Sequence, residues 1–325
     1  MRLLVIGGTR FLGRAIVDAA LGHGHEVTLF NRGKTNPHLY PGLHTILGDR
    51  VHDAGVLRGL GFDVAIDVAG THPAEVGPLV EVLQESVEHY VFVSTISVYA
   101  DHSIPQVEGQ AVLSVREDQS PGEAYGAAKA ASERLVISAF GQRALVVRPG
   151  LIVGPHDATD RFAYWPRRIA RGGRVLAPGG PAHSCQFIDV RDLGSWIVHG
   201  AESRLVGTFN TTGRPTTLGE LLARCQAVIT ASSSELVWVD DSALIGAGVR
   251  RWMGVPLWIT EPGWEAVNRA SIDKALAAGL HFRSVDETIA DTLAWDLARG
   301  GPPPGREGLS ADEEARLLAA CRLRA

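Results

Sequence analysis

Tyr125-Gly-Ala-Ala-Lys129 sets a phenol and an ammonium four residues apart, on one face of any helix that contains them. A tyrosine titrating near about 10 is a slow acid–base group at neutral pH, and a neighbouring cation brings its phenolate within reach. Lys129 could supply that cation, so the pair reads as a proton-transfer unit. The chain has five tyrosines, and lysine stands only at positions 34, 129 and 274, so a chance surface pair explains the spacing poorly. Thirty residues earlier, Val91-Phe-Val-Ser-Thr-Ile-Ser-Val-Tyr99 carries a strand-like run into hydroxyls. Ser94, Thr95 and Ser97 are each candidates to orient a substrate oxygen or simply to hold the turn.

A second feature offers a cradle for phosphate. Leu3-Leu-Val-Ile-Gly-Gly-Thr-Arg-Phe-Leu-Gly13 reads as a buried strand, a glycine turn and a helix start, which presents backbone amides to a pyrophosphate. Gly7 and Gly8 permit the tight turn, Thr9, Arg10, Phe11 and Leu12 complete it, and Gly13 lets helix and strand approach. Such turns also occur for structural reasons alone. The next strand, Glu26-Val-Thr-Leu-Phe-Asn-Arg32, ends where an acid would bind the ribose 2′-hydroxyl of NAD, but Asn31 and Arg32 stand there, with Lys34 following. Cations at that place favour a 2′-phosphate, so NADP(H) is preferred and NAD(H) remains possible; solvated loop charges are the alternative. Asp49 and Arg50 after the third strand, and Asp67-Val68-Ala69-Gly70 at the end of the fourth, fall where adenine and ribose would lie.

Positioning these groups at one edge requires a sheet. Short β-branched runs at 3–6, 27–30, 45–47, 64–68, 90–94 and 144–147 alternate with helical stretches at 11–22, 74–87 and 123–139, which predicts an α/β fold with a doubly wound parallel sheet. Residues 1–150 are read as the dinucleotide-binding domain. Residues 151–299, with Gly/Pro-rich segments and several tryptophans, are read as a smaller substrate-binding region interleaved with it. Residues 300–325 are read as a Pro/Gly linker and a docked terminal helix over 310–323. Thr217-Leu-Gly-Glu220 has capping-box spacing and opens a helix through Ala227.

Composition narrows the classes. Lys+Arg 31 against Asp+Glu 36 gives a net charge of −5, with no basic run, which makes a nucleic-acid partner unlikely. Cys185, Cys225 and Cys321 are odd in number and far apart, so neither a disulfide framework nor a zinc site is expected. No metal is expected at His23-Gly-His25, which lacks a third ligand at helix spacing. No apolar run reaches the length of a membrane span, the N-terminal run is too short for a signal peptide, and a cytoplasmic protein is expected.

Taken together, the Gly7–Gly13 turn, Ser94-Thr-Ile-Ser-Val-Tyr99, Tyr125-x-x-x-Lys129, Arg148-Pro-Gly-Leu-Ile-Val-Gly-Pro155, Phe187-Ile-Asp-Val-Arg-Asp192 and Ala-x-x-Ala-Gly-Leu280 resemble the short-chain dehydrogenase/reductase superfamily over nearly the whole chain. The likeness is to its extended or atypical branch, the NAD-dependent epimerase/dehydratase family, with a Rossmann-type fold. It implies Thr95 as the residue orienting the substrate oxygen, Tyr125 as acid–base group, and Lys129 as both the cation that lowers the tyrosine pKa and a ribose ligand. Pro149 and Gly150 would lie beside the nicotinamide, and members often dimerise through the helix bearing the tyrosine.

Departures from the family pattern direct the functional reading. Arg10 replaces the middle glycine of the turn, as in an atypical subgroup similar to chloroplast stem-loop RNA-binding proteins. Ile96-Ser97 stand where dehydratases carry Asp-Glu, while Leu151 and Cys185 replace the asparagine and arginine of sugar-nucleotide epimerases. The favoured reading is an oxidoreductase moving hydride to or from a carbonyl or alcohol of a small metabolite, such as one of secondary metabolism. An epimerase with tightly bound NAD(P) is the first alternative, and a non-catalytic RNA-binding member the second. Ser97, His156, Arg161, Tyr164, Trp165 and Gln186 are the candidate substrate contacts. Replacing the acid alone, Tyr125→Phe, is expected to lower turnover by about 10²–10⁴-fold while cofactor affinity stays unchanged in fluorescence titration; full activity would remove Tyr125 from the role.

Overall fold

Leu3, Leu4, Val5 and Ile6 are apolar without alternation because both faces of their strand are covered: Leu3 and Val5 pack under one layer of helices, Leu4 and Ile6 under the other. The computed structural model describes residues 1–231, 233–251, 254–264, 266–302 and 308–322. Its first half runs β1 (Arg2–Ile6), α1 (Phe11–Gly22), β2 (Glu26–Asn31), β3 (His44–Leu47), β4 (Phe62–Asp67), α2 (Pro73–Leu83), β5 (Val87–Val93), α3 (Pro121–Phe140) and β6 (Ala144–Pro149). The second half adds β7 (Leu151–Val153), α4 (Tyr164–Ala170), β8 (Gly173–Pro178), β9 (Ser184–Cys185), β10 (Phe187–Asp189), α5 (Val190–Glu202) and β11 (Gly207–Thr211). It ends with β12 (Thr216–Thr217), α6 (Leu218–Val228), β13 (Ser234–Val239), α7 (Asp241–Gly246), α8 (Asp273–Ala277), α9 (Val285–Ala298) and α10 (Ala311–Arg322).

Seven strands form one parallel sheet in the order β11-β6-β5-β4-β1-β2-β3. The expected doubly wound α/β sheet is present, and its seventh strand comes from residues 207–211, so the second half of the chain completes the first. Helices α1 and α5 cover one face and α2 and α3 the other. The remaining short sheets pair β10 with β7, β12 with β9, and β13 with β8. They surround a separate core in which Trp165, Val175, Leu222, Trp258 and Leu318 are buried.

Local signals set most of the boundaries. Ser120 accepts from the Glu123 amide while the Glu123 carboxylate accepts from the Ser120 amide, a reciprocal cap that fixes where α3 begins and hence the turn on which Tyr125 lies. The capping box at Thr217 and Glu220 opens α6 as expected. Helix α2, expected over 74–87, stops at Leu83, and β5, expected from residue 90, already begins at Val87, where Val87 and His89 align with Phe62 and Val64 of β4. Cross-strand pairing outweighs helix continuation there. Cys185 and Cys225 are buried free thiols, the side chain of Cys321 and residues 303–307 of the Pro/Gly segment lie outside the described residues, and α10 docks through Glu314, which accepts from Arg168 and from the Leu176 amide.

A buried ion pair ties α3 to the sheet. Arg148 at the end of β6 donates to Glu133 of α3 at 2.9 and 2.6 Å, and its guanidinium lies 4.8 Å over the Tyr99 ring, whose hydroxyl donates to Asn210 of β11 at 2.7 Å. Removing one member of such a pair strands a charge. Glu133→Ala is therefore expected to cost about 3–5 kcal/mol in urea denaturation, and an unchanged midpoint would contradict this role.

Candidate active site

The carboxyl ends of the strands open at the point where the chain reverses between β1 and β4, the crevice in which doubly wound sheets bind ligands. A cleft of about 1310 Å³ lies there, larger than the roughly 300–1,000 Å³ of ordinary ligand pockets. Gly7, Gly8, Thr9, Arg10, Phe11, Leu12 and Gly13 form one wall, with Asn31, Arg32, Lys34, Asp49, Arg50, Val68 and Ala69 beside them. Thr95, Ser97, Tyr125, Lys129, Pro149 and Gly150 line the far part, so the residues expected to hold a nicotinamide nucleotide and those expected to do chemistry share one space. Gly70 does not line it, but its carbonyl holds Lys129 from behind.

The glycine turn fits a dinucleotide. Gly7 and Gly8 have φ of +111° and +88°, and a Cβ on Gly13 would lie 2.7 Å from the Gly8 amide nitrogen, so α1 and the turn meet backbone to backbone. Arg10, at the N-cap of α1, makes no side-chain cap, and the first turn contains no acid, which leaves the helix amides and their positive end facing the cleft. Asn31 is spent on the turn: its amide donates to the Gly7 carbonyl at 3.3 Å and its oxygen accepts from the Gly33 amide at 2.8 Å. Arg32 lies 3.9 Å from Asp49 and is mostly exposed.

Two expectations change at the neighbouring strand ends. Arg50 lines the cleft, but its guanidinium grips Asp67 at 3.1 and 2.5 Å, so it braces the wall and is not free for a phosphate. Asp67, expected near the adenine and ribose, is wholly buried and also accepts from the Ala69 and Gly70 amides and the Tyr90 hydroxyl. Burial pushes its carboxyl up, yet Arg50 outweighs that and holds it below the usual carboxylate range. A Cβ on Gly70 would lie 2.7 Å from the Arg50 guanidinium, which is why glycine stands there.

Around Tyr125 the geometry is specific. Thr95 caps the short turn Ile96–Val98, accepting from the Ser97 amide at 3.1 Å, with the Ser97 hydroxyl 3.2 Å away. Helix α3 runs hard against that turn, since a Cβ on Gly126 would lie 2.1 Å from the Ser97 carbonyl oxygen. This requirement for glycine next to the tyrosine had no sequence signal. Tyr125 is 41% exposed into the cleft. Burial of the phenol by its surroundings raises its pKa, against the downward pull of a hydrogen bond with Thr95 and the charge of Arg161. Lys129, expected to lower it, donates its ammonium to the Gly70 and Val93 carbonyls at 2.5 and 2.7 Å, and burial pushes its own pKa down to about 8, partly offset by Asp67.

Most expected substrate contacts lie elsewhere. Tyr164 and Trp165 are packed in the second core, with the Trp165 indole donating to the Pro256 carbonyl at 3.0 Å. Gln186 is buried and clamps Gly213 and Ala270 through its amide. His156 sits 3.4 Å from Arg14 and edge-on to Trp295, outside the cleft lining. Aromatic and amide residues in a Gly/Pro-rich region do not reveal from sequence whether they face a core or a ligand. Ser97 and Arg161 do line the cleft, joined by Asp157, Thr159, Glu261, Trp264 and Asn268. Residues 259–264 and 266–268 were missed because they carry no periodic pattern; backbone bonds from Ala266 to His102 and Ser271 to Gln106 hold this part of the chain over the site. Cys185, in the epimerase arginine position, is buried away from the cleft with its thiol pushed up to about 12.

Gly126→Ala is expected to displace α3 from the Thr95 turn and to lower kcat by at least about tenfold with nucleotide affinity retained, since a small misplacement of reacting groups costs that much. Wild-type turnover in that variant would contradict the packing argument.

With the geometry in place, similarity to known proteins is informative. Residues 74–210 match the NAD dependent epimerase/dehydratase family. The chain is 29% identical over 232 residues to the chloroplast stem-loop binding protein of 41 kDa b of Arabidopsis thaliana, a match that takes in 65% of this chain and 58% of that protein's length. It is 28% identical over 259 residues to the 2-alkyl-3-oxoalkanoate reductase of Stenotrophomonas maltophilia (strain K279a), covering 71% of this chain and 76% of that one. A solved UDP-glucose-4-epimerase from Stenotrophomonas maltophila, with bound NAD and formylated UDP-arabinopyranose, superposes with a TM-score of 0.68 at 17% identity, over 92% of this chain and 99% of that chain. At that identity the likeness is one of fold. No described helix is long and apolar enough to cross a membrane. The family match takes in residues 74–210, and the parallel sheet ending in a glycine cradle and a Tyr-x-x-x-Lys pair accords with that similarity.

Proposed function

We propose that the protein is an NADP(H)-preferring reductase of a small carbonyl compound that carries an acidic group, with Thr95, Tyr125 and Lys129 as its working residues. The observation that carries this reading is that these three side chains meet the glycine cradle in one cleft. The cradle residues Gly7, Gly8 and Gly13 would hold the pyrophosphate, Arg32 and Lys34, with Arg10, a 2′-phosphate, Lys129 the ribose, and Pro149 and Gly150 would flank the ring. When bound, the nicotinamide supplies or accepts a hydride. Thr95 orients the substrate oxygen. Tyr125 gives that oxygen its proton as the carbonyl carbon is reduced, and takes it back in oxidation. Its raised pKa means that the phenol holds its proton at neutral pH, which suits reduction.

Arg161 supports an acidic substrate. Its guanidinium lines the cleft with Tyr125, donates to the Thr159 hydroxyl and feels the charge of Asp157, and a cation so placed suits a carboxylate near the reacting carbonyl. The 2-alkyl-3-oxoalkanoate reductase match supports an oxo acid of that kind. Leu151 in the cleft, and Cys185 outside it, offer no grip on a nucleotide diphosphate. A UDP-sugar is therefore disfavoured, although the fold is shared with UDP-sugar epimerases. A second reading, binding of an RNA stem-loop, is favoured by the similarity to the chloroplast stem-loop binding protein and by Arg10 in the turn; the net charge of −5 weighs against it.

Fluorescence titration with NADPH and NADH, followed by an NADPH-consumption screen over oxo acids, ketones and sugar nucleotides, tests this reading. Tighter binding of NADPH is expected, with a preference that falls at least about tenfold in Arg32→Ala, as a charge-assisted contact predicts; an unchanged ratio removes the phosphate site. Turnover by sugar nucleotides without net cofactor consumption would favour the epimerase. Loss of the Lys129 proton withdraws the buried cation, so kcat/KM for reduction is expected to decline as pH rises through about 8. A profile that stays flat well above that pH contradicts a role for charged Lys129.

A further inference from the structure

We propose that His23, His25 and Glu202 form a surface site for a transition-metal ion of the zinc type, independent of the catalytic reading. His23 Nδ1 and His25 Nε2 lie 2.9 and 2.8 Å from the same Glu202 carboxylate oxygen, and all three ligand atoms fall within 4.8 Å of one another. In a tetrahedral zinc site with ligands at about 2.1 Å, neighbouring donor atoms stand about 3.4 Å apart, so small side-chain rotations bring these three to that spacing. Water would complete the shell.

Two imidazoles and one carboxylate suit zinc and its neighbours, whereas calcium and magnesium call for oxygen ligands. The sequence hides the third ligand, because Glu202 stands 177 residues beyond His25. The fold supplies it: the turn after α1 carries the histidines, Glu202 ends α5, and these helices are in close contact where Gly194 meets the Ala15 backbone. The Met1 amine, 3.4 Å from the other nitrogen of the His25 ring, makes a long contact that gives way as the ring turns.

The site would fasten the far end of α1 to α5. Twelve residues of α1 separate it from the glycine turn, about 18 Å at the helical rise. The metal is therefore a clamp and takes no part in turnover, and its test needs no activity.

Calorimetric titration of the full chain with ZnCl₂ is expected to give one saturable site, and a melting midpoint that rises with zinc and returns on adding EDTA. MgCl₂ should do neither. His25→Ala and Glu202→Gln, both at a surface turn or helix end, should each weaken zinc by at least about tenfold, while melting like the wild type without metal. Absence of saturable binding at millimolar zinc would overturn the proposal. So would an isotherm unchanged in both variants, because the ion would then sit elsewhere.

Discussion

Asp67 is the constraint on which the site depends. Its carboxylate is wholly buried at the end of β4 and is kept ionised by Arg50, with the Tyr90 hydroxyl and the Ala69 and Gly70 amides completing its hydrogen bonds. A buried charge is tolerated only when paired and fully hydrogen-bonded, and here the pairing shapes the chain that follows. The Gly70 amide is drawn onto Asp67, and that turns the Gly70 carbonyl toward Lys129. The lysine is then anchored between Gly70 and Val93, and Tyr125, one turn earlier on α3, is aimed into the cleft. One carboxylate thus links the wall of the cleft to the Tyr125–Lys129 pair.

The second support is the contact between α3 and the Thr95 turn. Gly126 lets the helix reach the Ser97 carbonyl, and the Arg148–Glu133 pair holds the same helix against β6. Together they fix α3 and the Thr95 turn on either side of the cleft through backbone contacts and buried hydrogen bonds. The hydroxyl, the phenol and the ammonium are pre-positioned by packing, and little ordering is left to substrate binding.

Much of this was legible in the sequence, for identifiable reasons. The uninterrupted apolar run at Leu3–Leu4–Val5–Ile6 marks a strand covered on both faces, the Gly7–Gly13 turn marks its ligand edge, and four-residue spacing places Tyr125 and Lys129 on one helical face. What stayed hidden depends on long-range pairing. A strand-end acid reads alike whether it faces ribose or a buried arginine, so the sequence does not show that Asp67 pairs with Arg50. Tyr164 and Trp165 carry no sign of which side they pack on. Residues 259–264 and 266–268 have no period, and only the fold lays them over the cleft. Nor does the sequence show that Lys129 is engaged by the Gly70 and Val93 carbonyls, or that Arg161, 36 positions after Tyr125, shares its cleft.

The proposed reaction is net hydride transfer to a small oxo acid at Tyr125. The most direct measurement is mass spectrometry of the product formed from NADPH deuterated at the transferable nicotinamide position and a 2-alkyl-3-oxoalkanoate. A hydroxy acid one mass unit heavier than that formed with unlabelled NADPH is expected, with one NADP⁺ formed per product. Unreacted oxo acid with the nucleotide bound and intact would contradict it.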